Sequence, residues 1–205
     1  RVDCGLCAAA GQSARQGGLK FFPDDRGAVA ERLELAERGV TRQIFHAAVG
    51  GGDQTLGVDE FQGRTNAVRH HLRRLDGFAA ELDDAQYRAD TGAFFKSMHG
   101  TLNHLLTADW VWMHRFTGEG PSPTRLDAIH HDTLPGLRAA REAEDRRIIA
   151  YIDSLTEQKL AGTISYRRVS TPEEFVQPLA PALAHFFNHQ AHHRGQAHTI
   201  LCSFG

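Results

Sequence analysis

The residues best suited to chemistry are four histidines that lie close together near the C-terminus. They are His185, His189, His192 and His193, all within one predicted helix. Residues four apart lie one turn apart on the same helix face, so His189 and His193 can present two imidazoles to one metal ion. With 13 histidines in 205 residues, chance predicts about one such pair and two occur. Surface or packing histidines therefore stay the alternative interpretation of the spacing alone.

A helical projection separates these histidines. His189 and His193 lie at the edge of the apolar face of the last predicted helix, whereas His185 and His192 point further outward. His104, in an earlier predicted helix, also lies on the flank of an apolar face. Three neutral imidazoles from two helices leave coordination positions open, which is typical of a catalytic rather than a structural metal site.

Two charged residues fall on apolar helix faces. Asp109 lies near the centre of the apolar face of the helix that carries His104, and Arg194 lies within that of the last helix. A buried charge is costly unless it is paired. We expect Asp109 to pair with Arg194 or to orient a ligating imidazole, and the alternative is that each side chain extends to the rim. The pattern assigns no catalytic base or nucleophile.

Hydrophobic periodicity predicts four helices that position these residues. Their bounds are about 64–82, 92–117, 126 or 134 to 155, and 179–201. Residues 162–169 alternate and are rich in strand-forming side chains, which predicts a small β-hairpin between the third and fourth helices. The fold class is therefore all-α, a helical bundle with one hairpin.

The N-terminal part has a different composition. Residues 1–63 hold about half of the 20 glycines, and we expect a partly helical or disordered extension, with one helix over about 28–48, before a bundle domain over 64–205. Cys4 and Cys7 have the spacing of a redox pair or of half a zinc site. No second pair follows them, which argues against both interpretations.

Composition excludes several classes of protein. The 23 Lys and Arg residues against 25 Asp and Glu residues give a net charge of −2, so the chain lacks the basic excess of a nucleic-acid-binding protein. No apolar run approaches the roughly 18 residues of a membrane span. The opening residues lack a secretory signal core, so we predict a cytoplasmic protein with no membrane partner.

Two segments resemble the DinB family. They read GTLNHLLTAD over 100–109 and FNHQAHHRGQ over 187–196, and the resemblance extends over about 83–201. The resemblance implies a four-helix bundle with up-down-down-up connections, a homodimer, and a divalent metal ion, zinc or nickel. It implies the ligands His104, His189 and His193. The region around 64–71 lacks the aromatic residues that the family carries in its first helix.

The resemblance gives two hypotheses for function. The first is a metal-dependent enzyme that acts on a small-molecule substrate, either a hydrolase that activates water or a transferase that uses a low-molecular-weight thiol. The second is a non-catalytic, metal-stabilised dimeric bundle that acts in stress response or binds a ligand. A fourth protein ligand, such as His99 or Asp109, would favour the second hypothesis, and an open coordination position would favour the first.

Overall fold

The computed structural model describes residues 56–167 and 173–204, with the backbone alone for 67–76. The described part is mostly helical and contains one two-stranded antiparallel sheet. Its elements are α1 (Val58–Ala79), α2 (Asp84–Arg88), α3 (Met98–Thr117), α4 (Leu134–Asp153), α5 (Glu157–Leu160), β1 (Thr163–Arg167), β2 (Glu174–Pro178) and α6 (Leu179–Ser203). The helix predicted over 28–48, Cys4 and Cys7 lie outside the described residues.

The four long helices, α1, α3, α4 and α6, enclose the described hydrophobic core. Helices α1 and α3 each contact both α4 and α6. The largest fully buried apolar side chains of this core are those of Phe61, Met98, Leu105, Leu106, Met113, Ile152, Leu183 and Phe186. The predicted helical fold with a hairpin between the third and fourth long helices is thus confirmed, and the up-down-down-up bundle stays a prediction. Among the described helices, none has both the length and the apolar character that crossing a membrane requires.

Helix α1 begins six residues earlier than predicted. The backbone N–H of Val58 donates to Oε1 of Glu157 at 2.9 Å, which satisfies one of the free donors at the helix start. Asp59 and Glu60 stand in the first turn, where negative charge stabilises the helix dipole. Phe61 is fully buried and stacks on Phe187 with 6.1 Å between ring centroids. Contacts with distant residues therefore determine where this helix begins.

Helix α3 begins six residues later than predicted because a turn precedes it. Lys96 adopts a left-handed conformation with φ of 69°, and the Ser97 hydroxyl accepts the N–H of Gly100 at 3.1 Å as the N-cap. A Cβ at Gly100 would lie 2.1 Å from the carbonyl oxygen of Phe95, so only glycine fits there. The turn places Phe95 before the helix, where its side chain is buried.

The long connection between α3 and α4 is a loop over 118–133. Helix α4 starts at the later of the two predicted positions, because the Thr133 hydroxyl caps it by accepting the N–H of Gly136 at 3.4 Å. The hairpin pairs Thr163 with Pro178 and Arg167 with Glu174, and α6 follows β2 directly. These connections position α3 and α6, which carry the predicted ligands.

Candidate metal centre

The structure brings the three predicted ligands together in one group, which we call the imidazole cluster: His104 of α3 with His189 and His193 of α6. Their ligand nitrogens all lie within 4.8 Å of one another. Nε2 of His193 lies 3.2 Å from Nε2 of His104 and 3.1 Å from Nε2 of His189. His104 is 1% exposed and His193 is 7% exposed, whereas His189 is partly exposed, so the cluster lies at the edge of the protein interior.

These separations suit a shared metal ion. Two nitrogens bound at about 2.1 Å to one ion lie roughly 3.0–3.4 Å apart for coordination angles between a right angle and the tetrahedral value. Both Nε2 separations given above fall within this interval. Within the described residues, this is the one group of three or more His, Cys, Asp or Glu side chains with the spacing of a metal site.

Hydrogen bonds fix the protonation of two of the rings. Nδ1–H of His104 donates to the carbonyl oxygen of Leu126 at 2.8 Å, and Nδ1–H of His193 donates to Oε1 of Gln196 at 2.7 Å. Because these oxygens can only accept, the proton of each neutral ring lies on Nδ1 and its Nε2 carries a lone pair. The two Nε2 lone pairs therefore face each other across 3.2 Å. A cation bound by both nitrogens would remove this repulsion.

Burial keeps the three rings uncharged. It lowers the pKa of His104 to about 3, with a further contribution from nearby His193, and lowers the pKa of His193 to about 4. Burial, His193 and His104 hold the pKa of His189 well below its ordinary value. Neutral imidazole is the form that binds metal ions, so the cluster needs no deprotonation at neutral pH.

Phe95 covers one side of the cluster. Its ring stacks on His104 with 3.7 Å between centroids and an angle of 16°, and its edge faces His193 at 5.6 Å. An aromatic ring at this position excludes water from that face of His104. Sequence reasoning missed this role because it placed Phe95 inside the helix.

The loop over 118–133 supports His104 through a residue that the sequence analysis also missed. Asn103 is fully buried. Its Nδ2 donates to the carbonyl of His131 at 3.1 Å, and its Oδ1 accepts the backbone N–H groups of His130 and His131 at 3.0 and 3.1 Å. These bonds hold the loop over 118–133 against α3. The same loop contributes the Leu126 carbonyl. In the sequence, the position of Asn103 directly before His104 was the feature that could have indicated this role.

The other two histidines of the group over 185–193 differ from each other. His192 is exposed, as expected. His185 lies further inward than expected, with its ring centroid 5.1 Å from that of Trp112 and 6.3 Å from that of His189. Burial and the charge of Arg115 lower its pKa to about 4. The packing of α6 on Trp112, which a projection of one helix does not show, accounts for the difference.

The buried charge at Asp109 has a different partner from the one expected. Its Oδ2 accepts a hydrogen bond from Nη1 of Arg141 in α4 and another, at 2.8 Å, from Nε2 of Gln190 in α6. Among the described residues, the ion pair joins Asp109 to Arg141, and none joins it to Arg194. Burial lowers the pKa of Arg194, while the charge of Asp109 raises it. The prediction considered charged residues of α3 and α6 alone. The cation that pairs with Asp109 lies in α4.

Neither residue considered as a fourth ligand belongs to the cluster. Nε2 of His99 lies 2.9 Å from the carbonyl oxygen of His131, and its Nδ1 lies 3.3 Å from Nη1 of Arg88. The hydrogen bonds given above for Asp109 go to Arg141 and Gln190 rather than to an imidazole. In the described part of the chain, the group therefore offers three ligands, fewer than the four that a structural zinc site uses.

Comparison with known proteins identifies one family. The DinB family model matches residues 65–205 of the chain. No curated protein matches the chain, and no solved structure matches it. The matched segment contains all three histidines of the imidazole cluster and all four long helices, α1 from its eighth residue.

Proposed function

The chain belongs to the DinB family, and from this premise we propose that it holds one divalent metal ion on His104, His189 and His193. The observation that carries the proposal is the pair of unprotonated Nε2 atoms of His104 and His193 at 3.2 Å. Two acceptors at this distance need a cation or a shared proton between them. The low pKa values of these rings favour the metal ion over the proton. Zinc and nickel are the expected ions, because imidazole is a good ligand for both.

We propose further that the metal serves catalysis. When bound, the ion supplies Lewis acidity that lowers the pKa of water or of a thiol at an open coordination position. The chain contributes orientation: the Leu126 carbonyl and the Gln196 amide hold two ligand rings in place, and Phe95 keeps water from one face of His104. The proposed reaction is hydrolysis of a small molecule or transfer to a low-molecular-weight thiol.

A non-catalytic role for the metal is the second candidate. The observation that favours it is the depth of the cluster, since His104 is 1% exposed and lies under the Phe95 ring. An ion held there would join α3 to α6 and stabilise the fold. The homodimer, the up-down-down-up bundle and the cytoplasmic location, together with a role in stress response, stay predictions that accompany either candidate.

Elemental analysis of tag-free protein tests the metal site. We expect about one equivalent of zinc or nickel per chain in the parent, as three ligands of one ion require. His193→Ala should lose it, because the variant keeps only two ligands. His192→Ala is the matched control, since it removes an exposed imidazole from the neighbouring position of the same helix. Metal far below one equivalent in the parent, or unchanged metal in His193→Ala, would contradict the proposal.

Ligand exchange separates the two candidate roles. Cobalt(II) in place of the native ion gives an absorption spectrum that reports its coordination. If a position is open, adding a small thiol should produce a sulfur-to-cobalt charge-transfer band. A spectrum that no small thiol or anion changes would favour the non-catalytic role.

A further inference from the structure

A buried hydrogen bond joins the two ligand-bearing helices beside the imidazole cluster. Gln190 follows His189 directly in α6 and is fully buried. Its Nε2 donates to Oδ2 of Asp109 at 2.8 Å. Asp109 lies five residues after His104 in α3. The contact therefore connects the neighbourhoods of the ligands on both helices.

A third helix fixes the acceptor. Arg141 of α4 is 5% exposed and donates from Nη1 to the same Oδ2 of Asp109. Its Nη2 lies 2.8 Å from Oδ1 of Asp145. We call Asp109, Arg141 and Gln190 the carboxylate network. Because Arg141 holds the carboxylate from α4, the amide of Gln190 meets an acceptor whose position is set independently of α6.

An amide at this position requires an explanation. Burying an amide in place of an apolar side chain costs free energy unless its hydrogen bonds are made. In Gln190, Nε2 makes the bond to Asp109, and Oε1 is buried with no hydrogen-bond partner in the described structure. The bond to Asp109 specifies how α6 lies on α3. A helix that turns by one residue rotates by about 100° and shifts by about 1.5 Å. Nitrogens that must meet at 3.1–3.2 Å cannot tolerate such a change.

We propose that Gln190 is the positioning residue of the metal centre. Its hydrogen bond to Asp109, which Arg141 holds in place, sets the rotation and axial position of α6 relative to α3, so that His189 and His193 meet His104. This inference rests on the proposed metal function. It assigns Gln190 no contact with the metal.

Two single substitutions of Gln190 test the inference. Gln190→Leu removes the hydrogen bond and keeps most of the volume, and Gln190→Glu places a second carboxylate against Asp109. We expect the affinity for zinc to fall roughly 10–100-fold in both, as on loss of an outer partner of a metal ligand. We also expect the absorption spectrum of the cobalt-loaded protein to change in both. If Gln190→Glu does not fold, Gln190→Leu carries the test, since its side chain is readily buried.

A matched control distinguishes positioning from general stability. Ile200 is a buried apolar residue of the same helix, 3% exposed. Ile200→Ala should lower the free energy of unfolding but leave the cobalt spectrum unchanged. Unchanged zinc affinity and spectrum in Gln190→Leu would overturn the inference. A parent that binds neither ion would overturn the proposed function and this inference with it.

Discussion

The imidazole cluster and the carboxylate network are two buried polar groups that join the same helices, α3 and α6, with different electrostatics. In the carboxylate network, Arg141 and Gln190 both donate to the Asp109 carboxylate. In the imidazole cluster, the acceptor Nε2 atoms of His104 and His193 face each other at 3.2 Å, and Nε2 of His189 lies 3.1 Å from Nε2 of His193. Oδ2 of Asp109 accepts from donors within the chain, whereas His104 and His193 turn two acceptor nitrogens toward each other. Asp109 Oδ1 and Gln190 Oε1 are also buried with no hydrogen-bond partner in the described structure. Neither burial nor an unmatched acceptor therefore identifies a binding site by itself; acceptors that face one another at the spacing of metal ligands do.

The largest expected effect comes from breaking the carboxylate network. Arg141→Met removes the cation and leaves Asp109 buried and unpaired, which costs about 3–5 kcal/mol in the free energy of unfolding. Urea denaturation of the metal-free protein measures this loss. The double variant Arg141→Met with Asp109→Asn removes both charges and should recover part of it. A loss below about 1 kcal/mol in the single variant would show that the network contributes little to stability.

The effect of pH on the free energy of unfolding should be intermediate in size. Acidification should lower the contribution of the imidazole cluster to stability and raise that of Asp109 in the carboxylate network. The imidazoles titrate at about pH 6.5 in the unfolded chain and far lower in the folded chain, near 3 for His104 and 4 for His193. Between those values the unfolded chain binds more protons, so acidification from pH 7 to 4 lowers the stability of the metal-free protein.

Asp109 opposes this trend. Burial raises its pKa to about 6, against the opposing charge of Arg141. Its contribution to stability is present below the unfolded pKa of 3.8 and is lost as pH rises through about 6. Denaturation midpoints at pH 7, 6 and 5 should therefore fall more steeply in Asp109→Asn than in the parent. A shallower fall in Asp109→Asn would reverse the sign assigned to Asp109.

The smallest expected effect concerns the imidazole cluster without metal. Nδ1 of His189 is buried with no hydrogen-bond partner in the described structure, and its Nε2 faces another imidazole. His189→Leu should therefore change the free energy of unfolding of the metal-free protein by no more than about 1 kcal/mol, while it abolishes stoichiometric metal binding. A loss as large as that of Arg141→Met would show instead that the imidazoles themselves hold the fold together.

The sequence was most informative where the information is local. His189 and His193 share a helix face because they are four residues apart, and His104 lies on the flank of an apolar face, whatever the rest of the chain does. Helix α3 ends at residue 117 as predicted, and Gly118 after it adopts the left-handed conformation with φ of 73°. The three candidate ligands were therefore available before any tertiary contact was known.

Helix starts were less predictable because distant contacts determine them. Glu157 accepts the first N–H group of α1 from 99 residues away in the chain. The start of α3 depends on the left-handed turn at Lys96 and on the close approach of Gly100 to Phe95. Hydrophobic periodicity does not report either of these contacts. It therefore predicted a start for α3 that is too early and a start for α1 that is too late.

The sequence by itself determined the apolar face of each helix, and the tertiary structure decided which buried side chains meet. The apolar surroundings of Asp109 required a partner, but Arg141 and Arg194 were both available cations, and the packing of α4 selected Arg141. The Leu126 carbonyl likewise decided which nitrogen of His104 faces the cluster. Periodicity defines the buried face of each helix, whereas the pairing between helices depends on their relative rotation and depth. Those follow from the packing of the whole core.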